Sequence, residues 1–275
     1  MERSSGRSDV VIGLIDGPVA TDHEDLVSNR IRSLAGAQVA TCLLANSVAC
    51  QHGTFVAGIL SARRGSSAPA ICPGCTLLLR PIFPENVAAN GDMPSATPEE
   101  LASAISDAID AGANVVNLSA ALAQPSSRGE RELEQALDYA AKRAVLVVAA
   151  AGNQGTVGSS AITSHPWVIA VIGCDLDRRP TAESNLGNSI GRWGLAAPGE
   201  NITSLGTNGK PQISGGTSAA APFVTGAIAL LWSEFPRASA ARIKQAVTQD
   251  GRRSRRTIVP PVLDAWAAYE AMNGN

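Results

Sequence analysis

The chain has 275 residues, of which 45% are apolar and 17% charged, and its formal net charge is −2 at pH 7. This composition excludes a disordered chain, which needs low hydrophobicity and high charge. It also lacks the basic excess that nucleic-acid-binding proteins show. The sequence contains no apolar run of the roughly 20 residues that a membrane-spanning helix needs. We therefore expect a globular protein with no nucleic-acid partner and no membrane partner.

Short apolar runs alternate with helical patterns along the chain. The runs are continuous, as expected for parallel strands that are covered on both faces, and they occupy residues 10–15, 76–80, 114–118, 145–150 and 168–172. A start signal and amphipathic spacing predict helices over residues 97–111 and 130–143, and a run of almost wholly apolar or small residues predicts a buried helix over residues 222–235. This alternation predicts an α/β fold, with a mostly parallel central sheet and helices on both faces. No break in composition divides the chain, so we predict a single domain over residues 1–275.

The five cysteines leave several states open. An odd number means that at least one thiol stays free if the others pair. The first four cluster in the sequence, and one or two disulfides, reduced buried thiols and a zinc site are all compatible with that cluster. Only one pair has the spacing of a zinc knuckle, so we predict no metal. The cysteines are Cys42, Cys50, Cys72, Cys75 and Cys174.

Three segments place a reactive residue beside an apolar run or a helix. Asp16 directly follows the first run, where ligand crevices form in open α/β sheets. His52 stands just ahead of a helical stretch. Ser218 lies at the start of a buried helix, where the macrodipole is positive and backbone N–H groups can receive an oxyanion. Each residue alone fits a structural role better, and we assign such a role to the other two histidines, His23 and His165.

Together the three residues change this interpretation. They occur in the order Asp, His, Ser, separated by 36 and 166 residues, which is the order of subtilisin and not of chymotrypsin or the α/β-hydrolases. The chain resembles the subtilisin-like serine peptidases (subtilases) over nearly its whole length. The resemblance rests on seven stretches in the right order: IGLIDGPVATDHEDL, HGTFVAGIL, NVVNLSAAL, VVAAAGNQG, VIAV, LAAPGENI and SGGTSAAAPFVTGAIALL. It implies a subtilisin-like three-layer sandwich and a serine endopeptidase without a cofactor.

The resemblance implies a role for each matching residue. Ser218 would be the nucleophile, His52 would take its proton, and Asp16 would orient the imidazole and stabilise the imidazolium. Asn153 matches the family's oxyanion asparagine, whose amide donates to the tetrahedral oxygen beside the Ser218 N–H. Thr217 would support the same oxyanion indirectly.

The resemblance also implies how a peptide binds. An extended peptide would add as a strand against a segment of four residues, namely Ser119, Ala120, Ala121 and Leu122. The primary pocket would be walled by that segment, by residues 163–165 and by a small-residue stretch made of Ala149, Ala150, Ala151 and Gly152. The family has glycines where Ala121 and Leu122 stand, so we carry over no residue preference at the cleavage site from the family.

Several features resemble one group of subtilases, the cyanobactin (patellamide-type) maturation proteases, which cut leader or follower sequences from ribosomal precursor peptides. They are the Asp16-Gly17-Pro18 turn, the run CTLLLRPIF and the small number of residues before Asp16, from which we expect no pro-domain. The loop at residues 63–70 carries no acid or amide, so we predict no calcium site with Asp25. With no signal peptide in this chain, we expect a cytoplasmic protein, or a secreted one whose signal was removed.

Other functions stay open at this point. One branch of the cyanobactin group is a macrocyclase with a helical insert between Asp and His, and the short spacing here favours hydrolysis over cyclisation. A catalytically silent subtilase that only binds peptides is a second alternative. A nucleotide-binding α/β protein is a third, but G-x-G-x-x-G is absent. A role in docking an acidic leader peptide is conceivable for the cluster Arg252, Arg253, Arg255 and Arg256, although such clusters are more often solvated turns.

Overall fold

The computed structural model describes residues 4–34, 39–85, 94–119, 130–248 and 257–274. Its strands in chain order are β1 (Val11–Ile15), β2 (Ile31–Ser33), β3 (Thr76–Leu79), β4 (Val115–Leu118), β5 (Leu146–Ala150), β6 (Val168–Cys174), β7 (Leu195–Pro198), β8 (Ile202–Leu205) and β9 (Pro211–Ser214). Its helices are α1 (Val48–Ser61), α2 (Pro98–Asp110), α3 (Glu130–Lys142), α4 (Ala161–Ser164), α5 (Asn188–Trp193), α6 (Thr217–Glu234), α7 (Ala240–Thr248) and α8 (Ala265–Asn273). The predicted strands and helices are present, with ends that differ by a few residues.

A seven-stranded sheet forms the middle layer. Its strand order is β2-β3-β1-β4-β5-β6-β7, and every neighbouring pair is parallel. Strands β1, β4 and β5 are therefore neighbours at the centre, and their carboxyl ends share one edge of the sheet. This arrangement confirms the predicted α/β class with a parallel central sheet, and it positions the residues that follow those three strands close together.

Helices cover both faces of the sheet, which gives the three layers. Helices α2 and α3 pack on one face, and α1 and α6 pack on the other. The side chains of β5 alternate between these two cores: Leu146 and Val148 face α6, and Val147 and Ala149 face α3. A strand that is buried on both sides needs apolar residues at every position, which explains the continuous apolar runs.

Helix α1 begins upstream of His52, so the prediction that His52 precedes a helix was wrong. Ser47 caps the helix, because its side chain accepts a hydrogen bond from the N–H of Cys50. The His52 side chain consequently projects from the helix itself, and the helix backbone limits the positions that the imidazole ring can occupy. The helix buries most of its residues between α6 and the β8–β9 hairpin.

Helix α6 begins at Thr217, five residues before the predicted start at Pro222, and Pro222 lies inside it. A proline is normally placed at a helix start because it has no N–H and its ring crowds the preceding turn. Here the helix is almost entirely buried, and burial of its apolar side chains stabilises the extra turn despite the proline. Ser218 thereby becomes a residue of the first helical turn.

The remaining elements were not predicted. Strands β2 and β7 lie at the two edges of the sheet, and β8 and β9 form an antiparallel hairpin. These strands are only three or four residues long, too short to produce a clear pattern in the sequence. Among the described residues, no helix combines the length and apolarity needed to cross a bilayer.

Candidate active site

Asp16 and His52 form the first half of the site. Asp16 follows β1 and is fully buried. Its Oδ1 atom lies 2.7 Å from His52 Nδ1 and also accepts a hydrogen bond of 2.6 Å from the N–H of Gly17. Because an ionised carboxylate can only accept, His52 Nδ1 carries the proton in this arrangement and Nε2 is free to act as the acceptor.

The environment of His52 tunes its basicity. The side chain is 21% exposed. Burial of the ring favours its neutral form, but the charge of the Asp16 carboxylate and the hydrogen bond to it outweigh that cost, so the pKa of His52 lies above its ordinary value. A neighbouring carboxylate therefore makes this imidazole a stronger base than an isolated histidine.

Ser218 completes the chain of hydrogen bonds. Its Oγ lies 2.9 Å from His52 Nε2, although the two residues are 166 positions apart. Ser218 is the second residue of α6, so its hydroxyl and N–H are at the positive end of the helix dipole. Gly216, just before the helix, has φ +89°, a conformation in which residues with a side chain are strained. This turn directs the N-terminus of α6 towards the end of β5.

Asn153 lies beside Ser218 and is anchored through one end of its amide. Its Oδ1 accepts hydrogen bonds of 2.9 Å from both the N–H and the hydroxyl of Thr217. The hydroxyl of Thr217 in turn accepts from the N–H of Gly152 at 3.1 Å. With Oδ1 held in this way, the Nδ2 group is presented as a hydrogen-bond donor. A side chain at Gly216 would come within 2.9 Å of Nδ2, so a glycine is needed there for space as well.

The structure places only part of the predicted peptide-binding segment. Ser119 follows β4 and is buried, and its hydroxyl lies 3.4 Å from the carbonyl oxygen of Ser218. The other three residues of the segment, Ala120, Ala121 and Leu122, lie outside the described residues, as do the four arginines near the C-terminus. How a peptide contacts this segment stays a prediction.

The predicted pocket walls are buried backbone and small side chains. Ala149, Ala150 and Ala151 are at most 4% exposed, and Ala149 faces the α2–α3 core. Gly152 is buried and has φ +104°. At residues 163–165, Thr163 closes the capping box of α4 and His165 Nε2 lies 3.3 Å from Asp138 Oδ1. The role of these residues as pocket walls is still a prediction.

The segment before α1 is held by a disulfide and a carboxylate. Cys42 and Cys50 are joined by a disulfide bond, and Glu85 accepts hydrogen bonds from the N–H groups of Leu43 and Leu44. The remaining cysteines, Cys72, Cys75 and Cys174, are free and buried. The disulfide takes up two of the four thiolates that a zinc site in this cluster would use, which weighs against the zinc alternative.

Two polar residues that form hydrogen bonds next to the site, Asn117 and Thr225, were not identified from the sequence. Asn117 is fully buried within β4, and its amide bonds to Ser119 and to Thr225 of α6. A lone asparagine within the buried apolar run VVNL is the signal that could have identified it, because burial of an amide is costly unless each polar atom has a partner.

The arrangement is suited to acyl transfer. A hydroxyl aligned with a basic imidazole supplies a nucleophile, and the Asn153 amide together with the Ser218 N–H supplies two donors for an oxyanion. On a parallel α/β sheet this chemistry defines a serine hydrolase. The chain belongs to the subtilase family, whose family model matches residues 7–258. It is a serine peptidase of that family, and its substrates are peptides or proteins.

Curated relatives include a subtilisin and an intracellular serine protease. Subtilisin DY of Bacillus licheniformis is 30% identical over 88% of this chain and 83% of its own length. The major intracellular serine protease of Bacillus subtilis is 35% identical over 66% of this chain, but the match covers 55% of that protein. This chain therefore spans most of the first relative but only about half of the second.

Solved structures of peptide-maturation proteases have the same fold. A mutant of the protease domain of PatA superposes with a TM-score of 0.90 at 28% identity, covering 100% of this chain and 99% of that domain. The prenylagaramide maturation protease PagA gives a TM-score of 0.83 at 26% identity, and the match covers 98% of this chain and 96% of that one. The PatG macrocyclase in complex with peptide is 20% identical with a TM-score of 0.82, covering 100% of this chain and 94% of that one, which shows the fold alone.

Proposed function

We propose that this chain is a serine endopeptidase that cuts a leader or follower segment from a ribosomal precursor peptide. The hydrogen-bonded series Asp16, His52 and Ser218 carries the hydrolytic part of the proposal. The precursor part is supported by the similarity, over nearly the whole chain, to PatA and PagA, which are described as the patellamide and prenylagaramide maturation proteases.

In the proposed reaction, Ser218 Oγ attacks the carbonyl carbon of the scissile peptide while His52 Nε2 accepts the hydroxyl proton. The tetrahedral oxygen accepts hydrogen bonds from Asn153 Nδ2 and from the N–H of Ser218. The C–N bond then breaks as His52 returns the proton to the leaving amine. A water molecule then attacks the carbonyl carbon of the acyl-enzyme while His52 accepts its proton. The ester bond breaks as His52 returns the proton to Ser218 Oγ, which releases the new carboxylate and restores the Ser218 hydroxyl.

Transpeptidation is the second candidate, in which an amine replaces the water. Between Asp16 and α1, the described residues contain only strand β2 and a short 3-10 turn at Ser28–Arg30. The helical insert that is typical of the macrocyclase branch has no counterpart in these residues. This observation favours hydrolysis.

A mass measurement distinguishes the functions. The enzyme is incubated with a precursor peptide encoded in the same genome and, separately, with unfolded casein. We expect cleavage of the precursor at one position, with fragment masses that sum to the substrate plus one water, and no reaction with Ser218→Ala. A cyclic product without added water would contradict hydrolysis. Equally rapid cutting of casein at many positions would contradict the precursor-processing part.

A further inference from the structure

The carbonyl group of Ser218 lacks its ordinary partner in helix α6. In an α-helix this oxygen would accept from the N–H four residues later, but that residue is Pro222, which has no N–H. The nearby hydroxyl of Ser119, at the end of β4, donates to it instead at 3.4 Å. The backbone of the nucleophile is therefore tied to the central sheet by one side chain.

The hydroxyl of Ser119 is itself held by a buried relay. Asn117 Nδ2 donates to Ser119 Oγ at 2.8 Å, and Thr225 Oγ1 donates to Asn117 Oδ1 at 2.8 Å. Asn117 and Thr225 have no exposed surface. The relay begins at Thr225 on α6, crosses to β4 and returns to Ser218 on the same helix. It links the first turn of α6 to a residue further along the helix through the sheet.

The relay has one direction, because each hydroxyl has a single proton. If the Asn117 amide were reversed, Ser119 would donate to Oδ1 and could no longer donate to the Ser218 carbonyl. The Thr225 hydroxyl favours the present orientation, because its proton has Asn117 Oδ1 at 2.8 Å as the nearer acceptor and the carbonyl oxygen of Ala221 at 3.2 Å as the farther one. Thr225 thus biases which way Asn117 points, and Asn117 biases which way the Ser119 proton points.

We propose that Asn117 and Thr225 are positioning residues of this peptidase, which orient Ser218 through Ser119. The proposal rests on the serine-peptidase activity and not on the identity of the natural peptide. The first turn of α6 supplies both the attacking Oγ and one oxyanion donor, the Ser218 N–H. A small shift of this turn would misalign both groups at once, which slows the chemical step without removing any contact to substrate.

The main test replaces Thr225 by valine, which keeps the shape of the side chain and removes the hydroxyl. We expect kcat to fall about tenfold, the size of effect that follows from losing one buried hydrogen bond, with KM unchanged. The rate of Ser218 labelling by a fluorophosphonate, which bonds to Oγ and releases fluoride, should fall by a similar factor. Thr225→Ser retains the hydroxyl and should restore both rates.

A matched control separates positioning from stability. Ser233 is buried on the same helix, and its hydroxyl bonds to the carbonyl of Ala229, four residues earlier, at 2.8 Å. Ser233→Ala should lower the melting temperature but leave kcat and the labelling rate unchanged. If Ser233→Ala slows labelling as much as Thr225→Val does, or if Thr225→Ser fails to restore it, the relay has no positioning role.

A second variant keeps the proposal testable if Thr225→Val does not fold. Ser119→Ala removes the last donor of the relay and should reduce the labelling rate to a similar extent. The double variant Ser119→Ala/Thr225→Val should be no slower than the slower single variant, because both changes break the same relay. Additive losses would overturn the proposal. Labelling needs no natural substrate, so a failed precursor assay would not affect this result.

Discussion

The two halves of the active site are held in different ways. The Asp16–His52 half combines the hydrogen bonds of Asp16 with close packing of backbone against backbone, whereas the Ser218–Asn153 half depends mainly on directional hydrogen bonds between side chains and main chain. On the first side, α1 lies so close to the turn after β1 that Gly53 has no room for a side chain beside Gly17.

The difference follows from what each half must do. An imidazole between a carboxylate and a hydroxyl needs fixed distances, and close packing supplies them because a well-packed interior resists compression. Oxyanion donors must instead point in one direction, and hydrogen bonds supply that because they weaken steeply away from linearity. Each half should therefore respond to a different kind of substitution.

The largest effect is expected for Asp16→Asn. An asparagine amide that donates to His52 Nδ1 would favour the tautomer with a proton on Nε2, which cannot accept the proton of Ser218. We expect kcat to fall by about 10⁴ with the fold retained. Steady-state kinetics on a cleavable peptide measures this, and a loss of less than tenfold would contradict the assigned role.

The pH profile of the same variant sharpens this prediction. His52 must be neutral to act as a base, and Asp16 raises its pKa, so the activity of the unmodified enzyme should be lost on acidification at a higher pH than for an isolated histidine. Without the carboxylate, only the burial that lowers the pKa remains. The acid limb of the kcat/KM profile for Asp16→Asn should therefore move to lower pH. If the limb stays at the same pH, the Asp16 carboxylate does not raise the pKa of His52.

A smaller effect is expected on the hydrogen-bonded side. Asn153→Ala removes one of two oxyanion donors, and we expect kcat to fall by about 10²–10³ with KM little changed, because the donor acts on charge that develops in the transition state. Asn208→Ala, in the turn between β8 and β9, serves as the control and should leave kcat and KM unchanged. A rise in KM without a fall in kcat would place Asn153 in substrate binding instead.

Among the substitutions that test this comparison, the smallest effect on rate is expected from a change in packing. Gly53→Ala would press a methyl group against the carbonyls of Gly17 and Pro18. We expect a loss of about 1–3 kcal/mol in the free energy of unfolding and up to about 10² in kcat, because α1 must move His52 away from Asp16.

Chemical denaturation and steady-state kinetics measure the effects of Gly53→Ala. Gly65→Ala is the matched control, since a side chain there meets no atom within 4 Å. If both variants are as stable and as active as the unmodified protein, the first half of the site is not held by close packing.

The arrangement of Asp16, His52 and Ser218 could be predicted because their segments match subtilase motifs in the right order, although each residue alone fits a structural role better. Asp16 comes directly after a continuous apolar run, and Asn153 lies between glycines just past another. Asp16 and Asn153 lie at the same edge of the sheet because the carboxyl ends of parallel strands share one edge. The predicted indirect role of Thr217 has a direct structural counterpart in its two hydrogen bonds to Asn153. The start of α6 was misplaced, because proline signals are judged locally and the burial that outweighs them is not visible in the sequence.

The sequence by itself determined the α/β class, the parallel strands and the order of Asp, His and Ser, because these depend on local apolar runs and on matching motifs. Only the tertiary structure decided which cysteines pair, since pairing depends on distances between segments and not on spacing along the chain. It also decided how the Ser218 carbonyl is satisfied, because the donor comes from a strand about a hundred residues away. A buried polar group takes its partner from whatever element packs against it, and that choice exists only once the layers have formed.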